Sequence, residues 1–288
     1  MSAVQTTQLP GYVEPLGQRA QAWVRQLLAF VVVAAILLPI FWIVLTAFKQ
    51  PRDVYSLANA LWFTPTLDNF YTVFDHPWNL GSKLLNSFIV ASGTVLIAIP
   101  LALCSAYAFS RFEFPFKQPL FFAIIASQFI PAAVVVLPYF LMFKQLGWLD
   151  SRSALVLVNL SIVLPYAVWM IKGFIDAVPV EMEESAMVDG APRLRVLWEM
   201  VVPVALPGVI TAAVFSFTLT WNEFLFALIL TKQDALTLPI GLIGFRTERG
   251  DLWELMAAAG MIITLPMVLI SLAVHKQFVG SLTAGSTK

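Results

Sequence analysis

The chain has little of what catalysis or metal binding draws on. Its 288 residues include two histidines, His76 and His275, and one cysteine, Cys104. A single cysteine excludes an internal disulfide, and so few ligands exclude a zinc-type cluster. Cys104 lies inside an apolar run and reads as a small packing residue. No Gly-x-x-x-x-Gly-Lys-Ser/Thr loop occurs, so the chain cannot be its own ATPase. His-Glu-x-x-His and Gly-x-Ser-x-Gly elements are absent too, and nothing points to a membrane enzyme. Charge is scarce as well. Seventeen basic and seventeen acidic residues make 12% of the chain and cancel, which leaves no nucleic-acid footprint.

What fills the chain is apolar surface: 59% hydrophobic residues and a mean hydropathy of +0.83. A soluble domain is about 45–50% apolar and about 25% charged. Six apolar runs stand out, at about 27–48, 86–109, 118–143, 153–174, 201–230 and 255–278. Each reaches the ~20 residues needed to cross a bilayer. Backbone groups in lipid must be satisfied internally, and these runs are too long and too evenly apolar for barrel strands. The expected fold is an all-α polytopic membrane protein with six transmembrane helices.

Residues 1–26 read as a polar tail and 279–288 as a second one, flanking a six-span membrane domain over 27–278. About 26 polar residues without a small-residue cleavage site precede the first run, so a retained anchor is expected. Residues 67–74 read as a short surface helix. The brief 110–117 connection predicts that the second and third spans are antiparallel neighbours. Pro100, Pro131, Pro138 and Pro165 are expected to bend their helices around a cavity. The 17 Lys and Arg residues divide nine against eight between the two sides, so the basic-residue rule leaves the orientation open.

Between the fourth and fifth runs lies a polar island, 176–200. Glu181, Glu183, Glu184 and Asp189 fall within nine residues of it. Pro179 suits the first position of a helix, and the acids sit near its positive end. Asp189-Gly190 reads as a stop, since Gly accepts the φ > 0 backbone that closes a helix. Ala191-Pro192 restarts a second helix. Ser185 and Ala186 leave part of the first helix without bulk, so a partner can approach. Helix chemistry alone favours a solvated, capped loop.

The residue order resembles the cytoplasmic loop of the inner-membrane permease subunits of ATP-binding-cassette (ABC) importers. That family's pattern is Glu-Ala-Ala, three residues, Gly, nine residues, Ile, one residue, Leu-Pro. Glu184-Ser185-Ala186, Gly190, Met200, Val202 and Pro203 occupy those places, with Ser185, Met200 and Val202 as conservative departures. Glu183 and Asp189-Gly190-Ala191 look like the carbohydrate, maltose-type branch. So do Asn86-Ser87, Ala106 to Phe112 followed by Phe114-Pro115, and Trp221-Asn222-Glu223-Phe224. The Gly280-Ser281-Leu282-Thr283-Ala284-Gly285 ending is similar to that branch's tail.

The resemblance implies a coupling helix within 179–191 that fits a groove on a separate ATPase and drives alternating access. Glu183, Glu184, Ser185, Ala186, Asp189, Gly190 and Ala191 would form it, with Glu184 making polar contacts and Gly190 allowing the turn. The loop and both termini would be cytoplasmic. The implied partners are a second homologous permease subunit, two ATPase subunits and an extracytoplasmic solute-binding protein. ATP and Mg would be held by the ATPases, with no cofactor on this chain. The location would be a bacterial or archaeal cell (inner) membrane and the substrate a sugar, polyol or related carbohydrate.

Polar residues inside spans are the other candidates. Gln128 and Asn159 read either as interhelical hydrogen-bonding groups or as amides facing sugar hydroxyls, with Tyr139 or Trp169 as stacking faces. Trp221, Asn222 and Glu223 lie ~27 Å along the helix from Pro203. They read either as interfacial groups, with Trp221 in the aromatic belt, or as contacts to substrate or binding protein. A secondary transporter driven by an ion gradient is the rival reading. It needs ionisable residues mid-span, which the runs almost wholly lack. A structural scaffold is the rival of a different class.

Overall fold

The computed structural model describes residues 16–248 and 250–284. Residues 1–15 of the tail expected over 1–26, Arg249, and residues 285–288 at the end of the tail motif lie outside the described residues. The chain is helical almost throughout. α1 (Leu16–Ala47) runs unbroken through Pro39 and starts before the expected 27. Two short helices follow, α2 (Pro51–Val54) and α3 (Asp68–Thr72), the latter within the predicted 67–74. Asn69 of α3 donates to the carbonyls of Ala47 and Lys49, both at 2.8 Å, and so satisfies the open end of α1.

α4 (Leu80–Arg111) begins six residues before the expected start, Asn86, and passes through Pro100 without a break. After a short turn come α5 (Lys117–Ala126), a 3₁₀ turn (Ser127–Phe129) and α6 (Ala132–Gln145). The third run is therefore not one continuous span: its halves meet at 94°. Pro131 supplies the reason. It has no N–H for the helix ladder and drives the preceding residue out of the helical region. Ile130 is accordingly extended, at φ −75°, ψ 118°. The other expected bends do not interrupt their helices, since Pro138 lies within α6 and Pro165 within α7 (Arg152–Asp176).

The island forms α8 (Val180–Val188) and α9 (Arg193–Val196), followed by a π turn (Leu197–Val201) that opens α10 (Val202–Trp221). The fifth run also departs from one continuous span. It stops at Trp221, and α11 (Leu225–Leu230) is a separate short helix. α12 (Leu238–Ile243) and a two-residue antiparallel ribbon, β1 (Arg246–Thr247) with β2 (Gly250–Asp251), precede α13 (Trp253–Ala284). Among the described residues, five helices are long and apolar enough to cross a membrane, or six if the bent pair counts as one span.

The centre is α4, laid against α7 and α10. The main neighbour of α4 is thus α7 and not the sequence-adjacent α5, which touches it where Phe109 meets Phe121 at 5.3 Å. Lipid tails give helices no hydrophobic reason to associate, so close packing of small residues does it. Ala91, Ala98, Ala102 and Ala106 form one buried stripe along α4. Ala205, Gly208, Ala212 and Ser216 form the matching stripe on α10. Gly208 lies so close to Phe174 of α7 that a Cβ there would fall 2.1 Å from the ring. Cys104, expected as a packing residue, is exposed on the opposite side of α4.

Candidate functional site

Local chemistry accounts for the shape of the 177–201 loop. Pro179, expected at the first helical position, is instead the N-cap, so α8 begins one residue later, at Val180. At the far end the Ala191 N–H donates to Ala186 O and the Gly190 N–H to Met187 O, both at 3.1 Å. That pair of bonds is the Schellman closure. It needs a left-handed residue, and Gly190 has φ +87°. A Cβ at this glycine would meet nothing within 4 Å, so the constraint is conformation and not space. After Pro192 the chain enters α9 and the π turn. The wider turn takes up the mismatch caused by Pro203, whose ring would otherwise crowd the carbonyl of Glu199.

The seven predicted loop residues come together in this one element, but they face two ways. Glu184, Ser185, Asp189 and Gly190 are exposed. Ala186 and Ala191 pack partly against the cluster formed by α4, α7 and α10. Glu183 is 2% exposed and points inward. Its Oε1 accepts from Arg111 Nε at 2.7 Å and its Oε2 from the Tyr107 hydroxyl at 2.9 Å. Arg111 also donates to Ile175 O at 2.9 Å, Val178 O at 2.7 Å and Ser110 Oγ at 2.9 Å. Four of its five N–H groups thus have protein acceptors. Ser110 in turn donates to Asp176 at 2.5 Å, which pairs with Lys172 at 2.6 Å. The Arg193 guanidinium lies 4.8 Å from the centre of the Phe112 ring. Arg111 and Tyr107 fall within the Ala106 to Phe112 stretch of the family resemblance, which implies no contact for either. An arginine at the very end of a long apolar helix was the available signal.

The other end of the bundle carries a second built feature. Asp150, in the left-handed region at φ +57°, accepts from four consecutive backbone N–H groups. These are Lys232 and Ala235 on Oδ1 and Gln233 and Asp234 on Oδ2, at 3.0–3.1 Å. Burial works to raise this carboxyl, but the four N–H donors outweigh it and hold the group below the usual carboxylate range. Asn86 donates to Asp234 O and Leu236 O and accepts from Arg152, while Ser87 accepts from the Leu238 N–H. Residues 232–238 are therefore stitched to α4 and to the turn before α7.

The span residues do not gather into one site. Gln128 sits in the 3₁₀ turn at the 94° bend. Asn159 is buried and donates to Leu155 O in its own helix, not to a neighbour. Trp221 is 1% exposed, stacks on Phe217 and donates to Ile263 O of α13, so it is no part of an outward aromatic belt. Asn222 is exposed and donates back to Thr218 O. Glu223 accepts from the N–H groups of Phe226 and Ala227 at 2.7 and 3.1 Å, which caps α11 and turns the chain. Tyr139 lies edge-on to Phe226 at 5.8 Å, and Trp169 is exposed.

Known proteins share both the sequence and the fold. A family model described as the binding-protein-dependent transport system inner membrane component matches residues 95–283. The chain is 31% identical over 265 residues to the diacetylchitobiose uptake system permease protein DasC of Streptomyces coelicolor, across 90% of this chain and 95% of the relative. It is 30% identical over 256 residues to the trehalose/maltose transport system permease protein MalG of Thermococcus litoralis, across 88% and 91%. A crystal structure of a bacterial ABC transporter involved in the import of the acidic polysaccharide alginate has the same fold. Its TM-score is 0.79 at 18% identity, covering 92% of this chain and 98% of that one. A polytopic helical bundle with this loop and these relatives belongs to the binding-protein-dependent transport system inner membrane component family, the multi-pass permeases of ABC transporters.

Proposed function

We propose that this chain is one permease subunit of an ATP-driven importer for a sugar, polyol or related carbohydrate. It has six spans, with the bent α5–α6 pair counted as one, and both termini in the cytoplasm of a bacterial or archaeal cell. A second homologous permease, two ATPase subunits and an extracytoplasmic solute-binding protein complete the machine. ATP and Mg belong to the ATPases. Relatives named for diacetylchitobiose and for trehalose and maltose support the carbohydrate class. Alternating access is driven through α8.

One observation carries the reading. α8 presents Glu184 and Ser185 to solvent on a helix whose other face is fixed by a buried ion pair and a Schellman turn. A solvated connector needs neither device. Ser185→Cys in intact cells should react with an impermeant thiol reagent only after the cytoplasmic face is opened. Labelling from outside would invert the topology. Gly190→Pro imposes φ near −65° and deletes the N–H that bonds Met187. The variant should insert normally and hydrolyse ATP without uptake, and normal uptake would sink the coupling role of the loop.

A further inference from the structure

We propose that Arg111 is the joint through which displacement of α8 reaches both α4 and α7, and that Glu183 is a positioning residue held by it and not a contact to the ATPase. The inference rests on the coupling reading above.

One guanidinium binds three elements. It belongs to the last turn of α4, its Nε holds Glu183 of α8, and its Nη2 holds the carbonyls of Ile175 and Val178 at the end of α7. The contact is protected from water: the side chains of Arg111 and Glu183 are 9% and 3% exposed. Both carboxylate oxygens are committed to α4, one to Arg111 and one to Tyr107 a turn earlier. Two bonds from successive turns of one helix fix orientation as well as distance. α8 therefore cannot roll about its axis without withdrawing a buried carboxylate from both donors. Val178, Val196 and Leu197 pack behind it in the same apolar cluster as Ala106 and Tyr107.

The remaining charges nearby do not make this link. Lys172 with Asp176 is a pair within α7, and Arg195 with Glu199 joins α9 only to the π turn that continues it. Arg193 reaches Phe112 only through its ring face, and Asp176 touches α4 through Ser110 at a more exposed position. A push on the exposed face of α8 is thus passed on as motion of one body that includes the loop ends of α4 and α7.

The test uses the whole complex, permeases and ATPases together in lipid nanodiscs. Spin labels are placed at the exposed Val188 of α8 and the exposed Leu96 of α4, in a Cys104→Ser background. In otherwise unaltered protein their distance should stay within about 2 Å between the ATP-free and ATP-bound states, the scale of ordinary helix adjustments. A larger change overturns the proposal, and this measurement needs no variant at the joint. Arg111→Gln should let the distance shift with nucleotide and lower transport per ATP about tenfold in assembled complexes. Glu183→Gln keeps an oxygen for Arg111 and a polar group for Tyr107, so it should retain coupling that Glu183→Ala loses. Wild-type transport per ATP in Arg111→Gln would refute the joint. Cross-linking from Ser185→Cys to the ATPase separates the two readings. Its absence refutes the coupling loop itself, whereas its presence with a shifting label distance refutes only the joint.

Discussion

Single side chains pin the connecting segments of this protein to its helices, and Asp150 is the clearest case. Its carboxylate is bound by four backbone N–H groups and is held below its usual pKa. A depressed carboxyl contributes stability that is fully present above the unfolded-state value of about 4 and is lost as pH falls through the lower folded value. The detergent-solubilised protein should therefore lose thermal stability as pH drops below about 4. Asp150→Asn should weaken that dependence and lower stability near neutral pH by about 1 kcal/mol, the small end for a partly exposed group. Melting curves across pH check both, and an unchanged profile in the variant would discount the clamp. Asp150 was invisible in the sequence because its four partners are backbone groups some eighty residues away. Glu183 was legible as an acid of the loop, but its inward direction depends on Arg111, 72 residues earlier. Gly190 was readable in full, since its turn is set by neighbours in the chain.

At the level of helices, small residues decide who packs against whom. α10 meets α7 where Gly208 faces Phe174, and a methyl group there overlaps both the ring and its Cβ. Gly208→Ala should push the helices apart and destabilise the bundle by about 1–3 kcal/mol, the usual cost of overpacking. Phe174→Leu in the same chain should recover part of that loss. Thermal unfolding of the single and double variants measures it, and a neutral Gly208→Ala would mean the contact is looser than it looks. The positions of the spans were legible because long apolar runs leave the chain few alternatives. The breaks were not. A composition window averages over Ile130-Pro131, and over the polar pair Asn222-Glu223 between apolar flanks, and so sees one run in each case. Backbone chemistry interrupts both, through the missing N–H of Pro131 and the capping carboxylate of Glu223. Asn86 and Ser87 were noticed as the start of a span. They lie inside α4, and their side chains hold the 234–238 backbone.

For the molecule as a whole, the bend between α5 and α6 has a consequence for the life of the protein in the cell. Such a bend takes backbone groups out of the regular helical ladder, and the turn replaces only some of those bonds, with Ile130 N–H on Ser127 O, Ser127 Oγ on Ile124 O and Val134 N–H on Pro131 O. Irregular backbone at membrane depth is tolerated only where protein covers it or water reaches it. α5 has no buried residue of its own to shield that point. A subunit synthesised in excess would therefore expose an unfinished surface to the bilayer and become a substrate for membrane proteases. Pulse-chase labelling should show a shorter half-life for the chain produced alone than for the chain co-produced with the second permease proposed above. Equal half-lives would mean the bend is already sheltered. Where the half-lives differ, degradation of the surplus sets subunit stoichiometry after translation, without any need to match synthesis rates.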